Sequence, residues 1–76
     1  MLILYTKNNC AYCDKVKYSF VRHKVSYEER NISNPEYLKE VQSYQARTMP
    51  YLVDTTANVS LGESDAIIDY ALEGAF

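Results

Sequence analysis

The sequence predicts a mixed α/β sheet of four strands with helices on both faces, in the order βαβαββα. Three observations lead there. Early in the chain, short β-prone runs alternate with segments whose apolar residues recur at helical spacing, the pattern of a parallel βαβ unit. Ser33-Asn34-Pro35-Glu36 is a helix start placed between two such runs. Late in the chain, residues 50–53 and 59–61 flank the turn-prone stretch 54–58 and read as a hairpin.

Each element follows from its residues. Leu2 to Thr6 is an apolar run ending in Lys7-Asn8-Asn9, a buried strand entering a loop. Residues 12–23 carry Val16, Phe20 and Val21 at helical spacing with lysines between them, an amphipathic helix with Cys13 in its first turn. In residues 25–31, Val25, Tyr27 and Glu29 alternate against Ser26, Glu28 and Arg30, which suits a half-exposed strand at a sheet edge. Asn34 can cap the second helix, and Pro35 suits its first position, where no backbone donor is needed. That helix is expected to reach about residue 43, with Leu38 and Val41 facing inward. After the hairpin, Gly62-Glu63-Ser64-Asp65 leads into a last helix with Ala66, Ile67, Tyr70 and Ala71 on its buried side. The βαβ unit should be right-handed, with the hairpin adding antiparallel strands to the same sheet.

A chain of 76 residues makes one domain, residues 1–76. At that size only roughly 60–65% of the surface exposed by the unfolded chain is buried, so the stability margin is thin. Two cysteines three positions apart close too small a loop to constrain the unfolded state. Packing therefore has to supply the stability, aided by eight tyrosines that bury large rings while keeping their hydroxyls on a partner or in water. With 47% apolar and 24% charged residues, the composition is that of an ordinary soluble domain.

The net charge of −2 argues against a general nucleic-acid binder, yet it is unevenly spread. Residues 1–24 set Lys7, Lys15, Lys17, Arg22 and Lys24 against Asp14, a net +4, while residues 25–76 set three bases against nine carboxylates, a net −6. The positive part surrounds the cysteines and suits a thiolate and an anionic thiol partner; equally, it suits a solvated helix face. No signal-peptide core and no membrane-length apolar run is visible, so a reducing cytoplasmic setting and no membrane partner are expected. In that setting a close cysteine pair is more often catalytic or metal-binding than structural.

Cys10-Ala11-Tyr12-Cys13 sits after a strand and at a helix start, the context in which C-x-x-C reads as a redox motif. A sulfur there meets unpaired backbone N–H groups and the positive end of the helix dipole, which favours the thiolate. Cys10, the outer residue, is expected to be the nucleophile, and Cys13, one turn in, to resolve its mixed disulfide. Lowering a thiol from pKa ~8.5 to ~5 takes about 5 kcal/mol, of which a helix dipole supplies on the order of 0.3–2. Direct N–H bonds and a nearby cation must supply the rest, with Lys7 the leading candidate and Lys15 the second. A structural zinc site would want four ligands, and only Cys10, Cys13 and His23 are available as N/S donors, so no metal is expected. Two buried apolar cysteines are the other plain alternative. Thr48-Met49-Pro50 precedes a strand; a proline opening a strand is unremarkable, and its cis or trans state is left open by spacing alone.

With Thr6-Lys7 leading into Cys10-Ala11-Tyr12-Cys13, with Thr48-Met49-Pro50 and with Leu61-Gly62-Glu63-Ser64-Asp65, the chain resembles the glutaredoxins of the thioredoxin-fold superfamily. The likeness runs from Leu2 through the last helix. It implies a thioredoxin fold and a glutathione-dependent thiol–disulfide oxidoreductase with glutathione as co-substrate and no tightly bound cofactor. It also implies a cis Pro50, with the N–H and C=O of Met49 pairing with the peptide part of glutathione beside Thr48. Lys7 and Tyr12 would contact the same ligand, and Ser64 and Asp65 would hold its γ-glutamyl end. The implied partners are glutathione and disulfide-containing proteins, ribonucleotide reductase among them by analogy, served by a monomer. The reduction potential expected of such a pair is about −200 to −230 mV.

Three departures mark the chain. Ala11 stands where the family usually has proline, Glu63 where it commonly has a second glycine, and Arg47 precedes Thr48, placed to meet a ligand carboxylate or only solvent. Thioredoxin proper fits less well, since Asn9 precedes the pair and there is no tryptophan. Glu63 keeps open the ribonucleotide-reductase redoxins, which resemble glutaredoxins but are reduced by thioredoxin reductase. Two further alternatives are a module in which Cys10 and glutathione ligate an iron–sulfur cluster between two chains, and a binding subunit without electron transfer.

Overall fold

In the computed structural model, which describes residues 1–74, the elements are β1 (Leu2–Thr6), α1 (Ala11–Arg22), β2 (Glu28–Asn31), α2 (Pro35–Ser43), β3 (Tyr51–Asp54), β4 (Val59–Leu61) and α3 (Ser64–Glu73). The predicted order βαβαββα is the observed one. The sheet runs β2-β1-β3-β4, with β1 parallel to β2 and antiparallel to β3, and β3 antiparallel to β4.

All five residues of β1 are buried because this strand has a neighbour on each side and helices on each face. Its alternation divides the core in two. Leu2 and Leu4 pack with Val16 and Phe20 of α1, Leu52, and Ile67 and Ala71 of α3. Ile3 and Tyr5 point the other way, toward Val53 and Val41 of α2. Phe20 is closed off edge-on by Tyr27, with ring centroids 5.1 Å apart.

Three residues expected inside lie outside, for one reason. Val21 is 70% exposed, Leu38 is 37% exposed, and Ala66 faces solvent. Each sits one residue, or about 100° of helical rotation, from a residue that fixes the buried stripe: Phe20 in α1, Tyr37 with Val41 in α2, and Ile67 with Ala71 in α3. The second strand is also shorter than residues 25–31. Val25 and Tyr27 pack on the core without joining the ladder, and the Val25 N–H instead donates to the Phe20 carbonyl at 2.8 Å, closing α1. Lys24 and Gln45, at φ 56° and 61°, turn the chain after α1 and α2 in the left-handed region that favours glycine, at about 1–2 kcal/mol each.

Asp54 ends β3 with its side chain buried, at 2% exposure. It accepts from the Tyr70 hydroxyl at 2.6 Å and from the backbone N–H groups of Thr56 at 3.0 Å and Ala57 at 3.3 Å. The bond from Tyr70, then the two N–H groups and the N-terminal ammonium, hold its carboxyl below the ordinary carboxylate range. A folded-state pKa below the unfolded one gives stability that is fully present above the unfolded value, near 4, and lost as pH falls through the folded one. Thermal unfolding between pH 5 and 2 should therefore show a steeper acid loss for the native chain than for Asp54→Asn. Parallel curves would show that the carboxylate is not linked to folding.

Candidate active site

β1 delivers the chain to the site and α1 carries it away. Thr6, fully buried at the strand end, donates its hydroxyl to Glu29 of β2 at 2.7 Å, and Lys17 of α1 reaches the same carboxylate at 3.2 Å. Asn8 accepts from the Asn31 side chain at 3.0 Å, which ties the loop to β2. Asn9, at φ 54°, makes the left-handed turn that asparagine tolerates and so brings Cys10 to the helix start.

Cys10 is the N-cap of α1, in extended conformation, and it forms a disulfide with Cys13 at a Cα–Cα distance of 5.2 Å. The Cys13 N–H donates to Cys10 Sγ at 3.0 Å. An oxygen side chain usually fills this capping role; here a sulfur does, so the N–H that would otherwise be orphaned is placed to stabilise a thiolate on Cys10. Cys13 is fully buried, whereas Cys10 keeps 6% exposure and is the sulfur an incoming group can reach. Opposite, the Met49–Pro50 bond is cis, and the Met49 carbonyl oxygen lies 3.8 Å from Cys10 Sγ.

Beside this contact opens a cleft of about 460 Å³, within the range of small-molecule sites. Lys7, Tyr12, Thr48, Met49, Pro50, Ser64 and Asp65 all line it, joined by Gly62 and Glu63. Four separate stretches of sequence thus converge on one face of the reactive pair. Arg47 is not part of the lining. A slightly larger cleft, of about 530 Å³, lies around Met1, Asp54 and Tyr70 and contains none of the predicted site residues.

Glu63 takes the N-cap position of α3 at φ −110°, extended backbone that any residue adopts, and its side chain makes no capping bond. The chain therefore needs no glycine there, and a glutamate lines the cleft without backbone strain. At Gly62 an added methyl would meet the Tyr51 ring at 3.5 Å, an ordinary contact.

Lys15, the second candidate cation for the thiolate, is engaged elsewhere. Its ammonium donates to Asp65 at 2.6 Å, bridging α1 to the first turn of α3. That partner was not legible in the sequence, because the two residues are fifty positions apart and only the packing of α1 on α3 joins them. Lys7 remains on the cleft wall. Among the described residues, no group of three or more His, Cys, Asp or Glu is arranged to hold a metal ion, and no helix is long and apolar enough to cross a membrane.

Comparison with known proteins agrees with this geometry. A family model described as the N-terminal domain of glutathione S-transferase matches residues 4–76. The glutaredoxin-like protein NrdH of Lactococcus lactis subsp. lactis is 34% identical over 53 residues, which is 68% of this chain and 74% of that protein. A glutaredoxin from Brucella melitensis superposes with a TM-score of 0.67 at 26% identity, over 96% of this chain and 79% of its own. The NrdH-redoxin of Escherichia coli, described as glutaredoxin-like with a thioredoxin-like activity profile, superposes with a TM-score of 0.74 at 22% identity, over 87% of this chain and 88% of its own. The chain belongs to the glutaredoxin-like proteins of the thioredoxin-fold superfamily, and with its Cys10–Cys13 pair it is a thiol–disulfide oxidoreductase.

Proposed function

We propose that this protein is a glutathione-dependent dithiol carrier that reduces mixed or protein disulfides, with ribonucleotide reductase as a client. The observation that carries the reading is the convergence of Lys7, Tyr12, Thr48, Met49, Pro50, Ser64 and Asp65 on one cleft beside Cys10. In the reduced protein, the Cys10 thiolate attacks one sulfur of the substrate disulfide and expels the other as a thiolate, which takes up a proton. Cys13, as thiolate, then attacks Cys10 Sγ, releasing the second substrate thiol and closing the Cys10–Cys13 disulfide. Two electrons have passed to the substrate. One glutathione thiolate reopens the pair at Cys10, and a second leaves with the first as glutathione disulfide. The cleft gives glutathione a cation in Lys7, an aromatic face in Tyr12, and the backbone N–H and C=O of Met49 for its peptide part.

A second reading is favoured by Glu63, an acidic residue lining the same cleft, and by the likeness to NrdH. In it, thioredoxin reductase supplies the electrons and glutathione is excluded. The two readings separate in a coupled assay of mixed-disulfide reduction, run with glutathione and glutathione reductase or with thioredoxin reductase. Glutathione-driven turnover is expected, rising about three- to fivefold in kcat/KM in Glu63→Gly as an exposed repulsion is removed. Turnover with thioredoxin reductase alone, unchanged in Glu63→Gly, would overturn the glutathione reading.

A further inference from the structure

α1 and α3 lie side by side on one face of the sheet, since both bury residues against Leu2 and Leu4. Both start at the cleft end, where Lys15 bonds Asp65, and from there they form one outer layer. That layer keeps apolar surface in water: Tyr18 is 67% exposed, Leu72 is 43% exposed and Ile68 is half-buried. A groove of about 430 Å³ runs along it, lined by Lys15, Tyr18, Ser19, Arg22, His23 and Ile68. Its charge is divided between the helices. On the outward side, α1 offers Lys15 and Arg22, with Asp14 held by Lys17 on the far flank, while α3 offers Asp65, Asp69 and Glu73. Lys15 and Asp65 neutralise each other, whereas Arg22, Asp69 and Glu73 have no ion-pair partner among the described residues.

This division selects the occupant. An acidic partner would gain Arg22 and be repelled by Asp69 and Glu73, and a basic one would meet the reverse. A second copy satisfies both helices at once. A two-fold axis along the helices sets α1 of each copy over α3 of the other and preserves depth along the layer. Lys15 and Asp65 share a depth at a separation of 50 positions, and the same separation puts Arg22 level with Leu72, within one turn of Asp69. We propose that the α1–α3 face is a homodimer interface: Tyr18 of each copy packs into the groove of the other over Ile68 and Leu72, and Arg22 pairs with Asp69 of the other copy. The dimer takes the place of the monomer that the resemblance implies. It involves neither cysteine and does not depend on which reductant is used. A face about 18 Å by 20 Å is smaller than the roughly 800 Å² per partner of a standard stable interface, so half-dissociation falls on the order of 0.1 mM.

The test is sedimentation equilibrium on the native protein and on exposed-site variants, from about 10 μM to about 1 mM, with and without dithiothreitol. The native chain should pass from monomer to dimer over that range, equally in both conditions. Arg22→Glu and Asp69→Arg should each weaken association about tenfold or more, because each variant's homodimer sets like charges together twice. Mixed in equal amounts the two should recover native association, since the mixed dimer holds one native pair and one reversed pair. Tyr18→Ser should also weaken it about tenfold, by removing the central aromatic. Native-like mixed-disulfide turnover in all three variants shows that they are folded. A native chain that stays monomeric throughout would overturn the proposal, and so would a dimer that dithiothreitol abolishes, which is disulfide-linked. Association that the variants leave unchanged, or that the mixture fails to recover, would place the contact elsewhere and overturn it as well.

Discussion

Cys10→Ser is expected to lower disulfide reduction by about 10³-fold or more, with either electron donor, because in the proposed mechanism it removes the sulfur nucleophile. The geometry makes the two cysteines unequal in advance. Cys10 is the reachable sulfur and is the one that accepts the Cys13 N–H at the helix start, while Cys13 is sealed beneath it. A serine at position 10 can still cap α1, so the fold should survive and the loss should be chemical. Cys13→Ser should behave differently. It keeps the attacking thiolate, so reduction of a small mixed disulfide persists in part, with external thiol replacing the internal one. With a protein disulfide it should stall as a covalent adduct on Cys10, visible by intact mass and released by dithiothreitol. Full activity in Cys10→Ser, or an adduct trapped on Cys13 in that variant, would reverse the assigned roles.

Much of this site was legible because its parts carry local signatures. A cysteine pair after an apolar strand, a Thr-Met-Pro before another strand and a Gly-Glu-Ser-Asp at a helix start are each visible within a few residues. The topology that folds them together follows from one βαβ unit and one hairpin. What stayed hidden is of three physical kinds. Long-range pairs such as Lys15 with Asp65, or Thr6 with Glu29, depend on how elements pack and leave no trace in local spacing. The edge of a buried stripe is blurred as well: Val21, Leu38 and Ala66 are apolar neighbours of core positions, and hydrophobicity alone does not say which of two adjacent residues turns inward. The left-handed turns at Lys24 and Gln45 were invisible for a third reason, since no glycine marks them.

The largest stability effect is expected at Phe20, which is fully buried and sits where α1, α3 and β1 meet. Truncation to alanine in such a core costs about 3–5 kcal/mol through lost transfer energy and the cavity left behind. A domain of this size has roughly 4–11 kcal/mol in total, so Phe20→Ala should leave a chain that is marginally folded or unfolded at ambient temperature. Phe20→Leu should be milder, keeping aliphatic bulk while losing the edge contact with Tyr27, itself worth about 0.5–1.5 kcal/mol. The control lies on the same helix: Val21→Ala, at an exposed site, should stay within about 0.5 kcal/mol of native. Urea titration ranks the three directly. The functional consequence follows from the stripe that Phe20 shares with Cys13 and Val16. If α1 undocks, the Cys13 N–H no longer meets Cys10 Sγ, and reductase activity should fall in step with the folded fraction. Equal urea midpoints for Phe20→Ala and Val21→Ala would mean that α1 is not held by this cluster, and the link between core packing and cysteine geometry would fail.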